Sequence, residues 1–197
     1  MRFALFSALI LSGASLVWSQ EQIPLGSSKM PETYTPQTNE EPTLADLLTI
    51  EASASIFYTY AREVELSQSF ADQAARLTLL VPTNKAVMAL ARKPHQGAAP
   101  PVDTGVVITE EELDARSREN VVRWVSAHII PAHPLALSSG SHPTLLHGKN
   151  VTFKAPAGQP EQPEWAHVIV DDGAHIVAAR QAVNGVVYMI DDTVKLD

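Results

Sequence analysis

The sequence predicts an α+β fold in which helices come first and β-hairpins last. Three observations carry that expectation. Apolar residues recur at helical spacing through much of the first 130 positions, a Leu/Val run gives way to a helix near residue 82, and Gly-containing turns separate apolar flanks after residue 145. The corner at 77–90 organises the rest. Leu77, Leu79, Leu80 and Val81 make a buried-strand run, and Pro82, which lacks a backbone donor, is expected to stop its ladder. Thr83 is placed to cap the next turn. From Asn84 the period changes, because Ala86, Val87 and Leu90 share one helical face.

In chain order, residues 1–19 read as a secretory signal. Arg2 supplies a minimal positive region, residues 3–11 an apolar core too short for a membrane anchor, and Val17-Trp18-Ser19 a cleavage site after Ser19. Residues 20–42 are polar and broken by Pro24, Pro31, Pro36 and Pro42, which predicts an arm without a packing face. One domain is expected over 43–197. Thr43 and Asp46 have the spacing of a capping box, followed by a Leu44, Leu47, Leu48 stripe. A second helix should carry Ile56, Phe57, Tyr60, Ala61 and Val64, with a further turn at Leu66 and Phe70. Residues 92–105 hold three prolines and two glycines and read as a surface loop.

Thr109 followed by Glu110, Glu111 and Glu112 predicts an acidic helix start, where carboxylates meet the positive end of the dipole. Residues 119–128 form a clearer helix, with Val121, Trp124, Val125 and His128 at i, i+3, i+4 and i+7. His128 should therefore be largely buried and neutral, pinning the helix to the strand that Ile129 and Ile130 begin. Hairpins are expected across 145–153, across Asp172-Gly173 and across Asn184-Gly185, the last leading into a strand over 186–190.

Composition narrows the function classes. With 14 basic against 22 acidic residues and a net charge of −8, the chain lacks the basic cluster that nucleic acid or an anionic membrane needs. Cysteine is absent, so a secreted form must be held by its core rather than by disulfides. No second long apolar segment follows the first, and membrane insertion is not expected.

The strand entering Pro82-Thr83-Asn84 and a small-residue helix resembles the first signature box of the fasciclin domain family. The helix that ends in Ala127-His128 and enters Ile129-Ile130-Pro131 resembles the family's middle element, with Ala127 where Tyr is usual. Asn184-Gly185 and the strand ending in Ile190-Asp191 resemble the second box. On these elements, residues 43–196 are identified as a fasciclin domain, most similar to secreted fungal members. The resemblance implies a wedge-shaped β-sandwich with several packed helices. It also implies adhesion or matrix association in animals and plants, and cell-surface or vacuolar residence in fungi. An acidic motif just before the second box is linked to integrin binding in matrix relatives. Residues 177–181 here read Val-Ala-Ala-Arg-Gln, without an acid, so integrin recognition is not expected.

The motif residues Pro82, Thr83, Asn84, His128, Asn184, Gly185, Ile190 and Asp191 are read as structural, with Asn184 and Gly185 making a turn. No catalytic, cofactor or metal site is expected. His128 with His133, and His142 with His147, lack the i, i+4 spacing of helical metal ligands. Asp171-Asp172 and Asp191-Asp192 suit turns and strand ends, because neighbours on a strand point to opposite faces. The serines at 138, 139 and 141 lack a nucleophile-elbow frame. Asn150-Val151-Thr152 is a glycosylation sequon, which secretion would expose to the glycan-transfer machinery. The expected function is a secreted, non-catalytic adhesion or wall-associated module whose partner is a protein or a cell-wall polysaccharide, outside the cell or in the vacuole lumen. The alternative is a small-ligand protein or hydrolase using Asp and His in a cleft.

Overall fold

The computed structural model describes residues 41–98, 109–156, 163–171 and 173–196. The signal sequence, the polar arm up to residue 40, Pro100, Pro101 and Asp172 lie outside the described residues. Five helices run in the order α1 (Leu44–Ile50), α2 (Ser55–Arg62), α3 (Gln68–Ala71), α4 (Asn84–Ala89) and α5 (Glu110–Ala127). Seven strands follow the order β1 (Leu77–Pro82), β2 (Ile129–Ile130), β3 (Gly140–Pro143), β4 (Asn150–Lys154), β5 (Ile169–Val170), β6 (Ala174–Ala182) and β7 (Gly185–Ile190). They form one mixed sheet in the order β2-β1-β7-β6-β5-β4-β3. The α+β class is the observed one.

At the centre, β1 and β7 pair in parallel from Leu77↔Gly185 to Pro82↔Ile190. Every residue of both strands is buried, as befits a parallel pair covered on both faces. Alternation then divides their side chains between two cores. Leu79, Val81, Val187 and Met189 pack with Leu44, Phe57, Phe70 and Trp124 on the helical side. Leu80, Val186, Tyr188 and Ile190 pack with Val151, Phe153 and Val170, so β4 and β5 return over the other face as a sandwich.

Local sequence explains the helix starts. Thr43 with Asp46, and Thr109 with Glu112, close reciprocal capping boxes. Thr83 caps α4 by accepting from the Ala86 amide. The acidic turn after Thr109 and the helix ending at His128 are one continuous α5 of 18 residues.

Pro82 ends β1 as expected, as the last rung of its ladder with β7, and the Thr83 amide donates to Ile190 O at 2.9 Å. Three expectations need correction. The hairpin partner of β4 is Gly140–Pro143 rather than the segment from Leu145. The Leu145 amide is taken by Ile129 O, and Thr144 closes the reversal with backbone and hydroxyl bonds to Lys149 O, both at 3.0 Å. The turn between β6 and β7 is Val183-Asn184, with Ala182 paired to Gly185, so Gly185 already belongs to the strand. Finally, the segment after Arg92 is not a plain surface loop. Its Pro94–Gln96 turn buries Pro94 and is tied to α5 by the Asn120 side chain donating to His95 O.

Candidate functional site

The motif residues do not converge on one cleft. Asn84 and Asn184 sit at opposite ends of the β1–β7 ladder and act as long-range connectors. Asn184 Oδ1 accepts from the Leu44 amide at 2.9 Å, while Nδ2 donates to Phe70 O and Asp72 O at 2.9 and 2.8 Å. One buried amide thus joins the start of α1, the end of α3 and the β6–β7 turn. Asn84 Oδ1 accepts from the Ile56 amide, and its Nδ2 donates to Ala52 O and Ser55 Oγ. That supplies the first turn of α2 with a cap, because Ala54 at the N-cap has no side chain to give. Gly185 is set by crowding: a Cβ there would run into Leu77 O of the neighbouring strand.

His128 closes α5 and is fully buried. Its Nε2 accepts from the Val194 amide at 3.1 Å, so the proton sits on Nδ1, which donates to Trp124 O at 2.7 Å. Both nitrogens of a neutral ring are used. Its own carbonyl accepts from the Leu80 amide, which ties α5, β1 and residues 193–196 together. Burial pushes its pKa down to about 4; the Trp124 bond and the Asp171 charge oppose that shift, and Lys149 adds to it. Ala127 is buried in the second core, so the position of the family's usual Tyr faces inward here.

Asp191 pairs with His175 at the sheet surface, accepting from its amide and lying 3.4 Å from Nδ1. Asn150 and Thr152 are exposed on one side of β4, while Val151 and Phe153 point into the core. Asp171 accepts from the Thr152 amide and lies 3.4 Å from Lys149 Nζ. The carboxylates at 171 and 191 thus each close a strand end, after β5 and β7, with a different basic partner.

Two surface hollows stand out among the described residues. The first, of about 440 Å³, lies where α2 meets α5 and the Pro94–Gln96 turn. It is lined by Tyr60, Glu63, His95 and Ser117, among others, and Tyr60 Oη is 3.0 Å from His95 Nδ1. Burial and the Glu63 charge raise the Tyr60 pKa. The second runs between that same turn, α5 and residues 193–196. Sequence reading missed both, since their residues lie far apart in the chain. Among the described residues no three His, Asp or Glu side chains gather as a metal-binding group. Among the described residues, neither hollow is lined by a carboxylate pair.

Buried polar connectors and a central strand pair covered on both faces make the frame of an α+β domain with hollows at its surface. The chain belongs to the fasciclin domain family, whose pattern it matches over residues 52–195. It is 31% identical over 120 residues to a FAS1 domain-containing protein of Aspergillus fumigatus, covering 59% of this chain and 51% of that one. A FAS1 domain-containing protein of Emericella nidulans is 26% identical over 174 residues, covering 87% of this chain and 69% of that one. The chain therefore spans about half the length of the first relative and about two thirds of the second. Among solved structures, the FAS1 domain pair from the insect cell adhesion molecule Fasciclin I superposes with a TM-score of 0.52 at 12% identity. That match covers 78% of this chain and 51% of the other, and it speaks for the fold alone. Fasciclin domains are commonly adhesion-type or matrix-associated modules, typically extracellular or at the cell surface, and generally non-catalytic. Among the described residues no helix is long and apolar enough to cross a membrane.

Proposed function

We propose that this chain is a secreted, non-catalytic fasciclin module that works outside the cell or in the wall, with the vacuole lumen as its other possible residence. The family match over residues 52–195 carries this reading. The short apolar leader with its site after Ser19 supports secretion, and fungal relatives support a wall or surface setting. Asn150 is read as an N-glycan site: its side chain is exposed and shares the outward side of β4 with Thr152. The roles of Asn84, Asn184 and His128 are read as structural because their side-chain polar atoms are spent on bonds inside the domain, and that of Gly185 because Leu77 O leaves no room for a Cβ. The partner is a protein or a wall polysaccharide.

Expression of the full chain in a filamentous fungus, followed by fractionation into medium, wall and vacuole, tests this directly. N-terminal sequencing should start near Gln20, and endoglycosidase should shift the wild type but not Asn150→Gln. Recovery from the cytosol with Met1 intact would overturn the secretory reading. One observation favours a small-ligand role instead, namely the Tyr60–His95 pair beside Glu63 in a hollow of about 440 Å³. Hydrolysis or saturable small-molecule binding lost in Tyr60→Ala would move the conclusion there.

A further inference from the structure

The second hollow differs in charge from the rest of the molecule. Its two adjoining parts, about 410 and 260 Å³, share Pro94, Gly97 and Leu196. Arg92, Lys93, Arg123 and Lys195 line it, and among the described residues no acidic side chain does. In a chain with 22 acidic residues and a net charge of −8, that is a local reversal of sign. None of the four cations has a carboxylate partner among the described residues. Their like charges repel one another, so the arrangement gains from an incoming anion.

Two of them are held in place without being neutralised. Lys93 Nζ donates to the carbonyls of Val87, Met88 and Leu90 at the end of α4. Arg92 donates through Nε and Nη2 to Gly97 O and Gln96 O. Neutral acceptors fix these side chains and leave their charge standing. Lys93 then contributes field rather than bonds, whereas Arg92 Nη1, Arg123 and Lys195 keep donors to offer. The floor between them is apolar, made by Leu90, Pro94, Val194 and Leu196. The wall at residues 193–196 is anchored from below by the Val194 amide bonded to His128.

We infer that this groove binds an acidic peptide segment of a partner protein, with carboxylates on Arg92, Arg123 and Lys195 and an aliphatic side chain on the floor. The inference rests on the binding-module reading and names the partner chemistry for it. A peptide fits better than a polysaccharide because the floor is aliphatic and Trp124, at 3% exposed, offers no ring face for a sugar to stack on. Arg92, fixed by its two backbone bonds, loses little side-chain freedom on binding, whereas Arg123 and Lys195 are ordered by the incoming carboxylates.

The test uses the full chain and a fluorescein-labelled peptide, Asp-Leu-Asp-Glu-Leu-Asp, read by anisotropy. Binding should weaken by about tenfold or more as salt rises from about 0.05 M to about 0.3 M, since screening acts on exposed charges. The double variant Arg123→Glu with Lys195→Glu should lose binding at least about tenfold while keeping the wild-type thermal midpoint, because both side chains are exposed. Arg116→Glu with Arg118→Glu, on α5 about one to two turns before Arg123 and outside the groove lining, should keep most of the binding. The Asn-Leu-Asn-Gln-Leu-Asn peptide should not bind. Equal binding of that neutral peptide, insensitivity to the groove reversal, or tighter binding of polygalacturonate would overturn the inference. Wall association of the wild-type chain is scored separately. Association that survives the groove reversal removes the groove while leaving the module reading standing.

Discussion

The two ends of the β1–β7 ladder solve the same problem with the same residue type. At the Gly185 end, Asn184 offers its carbonyl to the Leu44 amide of α1; at the Ile190 end, Asn84 offers its carbonyl to the Ile56 amide of α2. Each side chain then donates to carbonyls from a second segment. Helix amides with no partner in their own helix are thus capped from strand ends distant in sequence. The ends differ in access to water. Asn184 is 0% exposed and Asn84 is only half-buried. Water can replace what Asn84 gives but not what Asn184 gives, so equal geometry carries unequal energetic weight.

The largest effect should come from the closed end. Gly185→Val puts a Cβ into Leu77 O and against Leu44 Cδ1, so either the parallel ladder or α1 must move. A loss of about 4 kcal/mol or more is expected in urea unfolding, at the exceptional end of single substitutions. Gly148→Ala is the control, because nothing lies within 4 Å of its Cβ position and only its φ of +81° resists. That variant should lose about 1 kcal/mol. Comparable losses for the two would remove crowding as the explanation. Asn184→Ala comes next, at about 3 kcal/mol, because it leaves the buried Leu44 amide and Phe70 O without their side-chain partner, while Asp72 O keeps only the Ala75 amide. A loss below about 1 kcal/mol would mean that water reaches this end after all.

Much of the fold was legible because its signals are local. Thr43 and Asp46, Thr109 and Glu112, and the spacing of Val121, Trp124, Val125 and His128 each lie within two helical turns. What was not legible is long-range. Asn184 reads as a turn residue in sequence, yet its bonds reach back 140 and 114 residues. Gly185 looks like part of that turn, while the reason for it is Leu77 on another strand. The strand Gly140–Pro143 carries neither alternation nor a β-branched residue, and is held at the sheet edge by backbone pairing to β4. The basic groove collects Arg92, Arg123 and Lys195 from three distant segments, which no spacing rule could gather.

Between the two ends stands a connector of another kind. The His128 carbonyl accepts from the Leu80 amide in the middle of β1, while its ring, bonded to Trp124 O and the Val194 amide, titrates as an amide does not. Its folded pKa of about 4 lies below the ordinary 6.5, so the unfolded chain binds the proton first as pH falls. The contribution is complete above pH 6.5 and is lost as pH drops through the folded value. Roughly 3 kcal/mol is at stake across that window. Asp171 and Lys149 are the charges that act on the ring, in opposite directions. Unfolding free energy measured from pH 7 to pH 4 should fall in wild type, and His128→Gln should flatten the slope. Parallel slopes would show that the ring is not the titrating connector.

The smallest effect belongs to the open end. Asn84→Ala removes the side-chain cap that α2 has among the described residues, since Ala54 has none to give. Its partners lie near solvent, where water can satisfy Ala52 O and the Ile56 amide in part. The expected loss is about 1 to 2 kcal/mol, the ordinary value of an N-cap. Asn84→Asp sharpens the test. It keeps an acceptor for the Ile56 amide but sets a carboxylate oxygen against Ala52 O, where the amide nitrogen donated at 2.9 Å. That contact is repulsive when ionised and becomes a hydrogen bond when protonated. The variant should therefore be weaker than wild type near neutral pH and recover relative to it on acidification, because its folded pKa is raised. If Asn84→Ala costs as much as Asn184→Ala, the difference in exposure between the two ends does not govern their energetics.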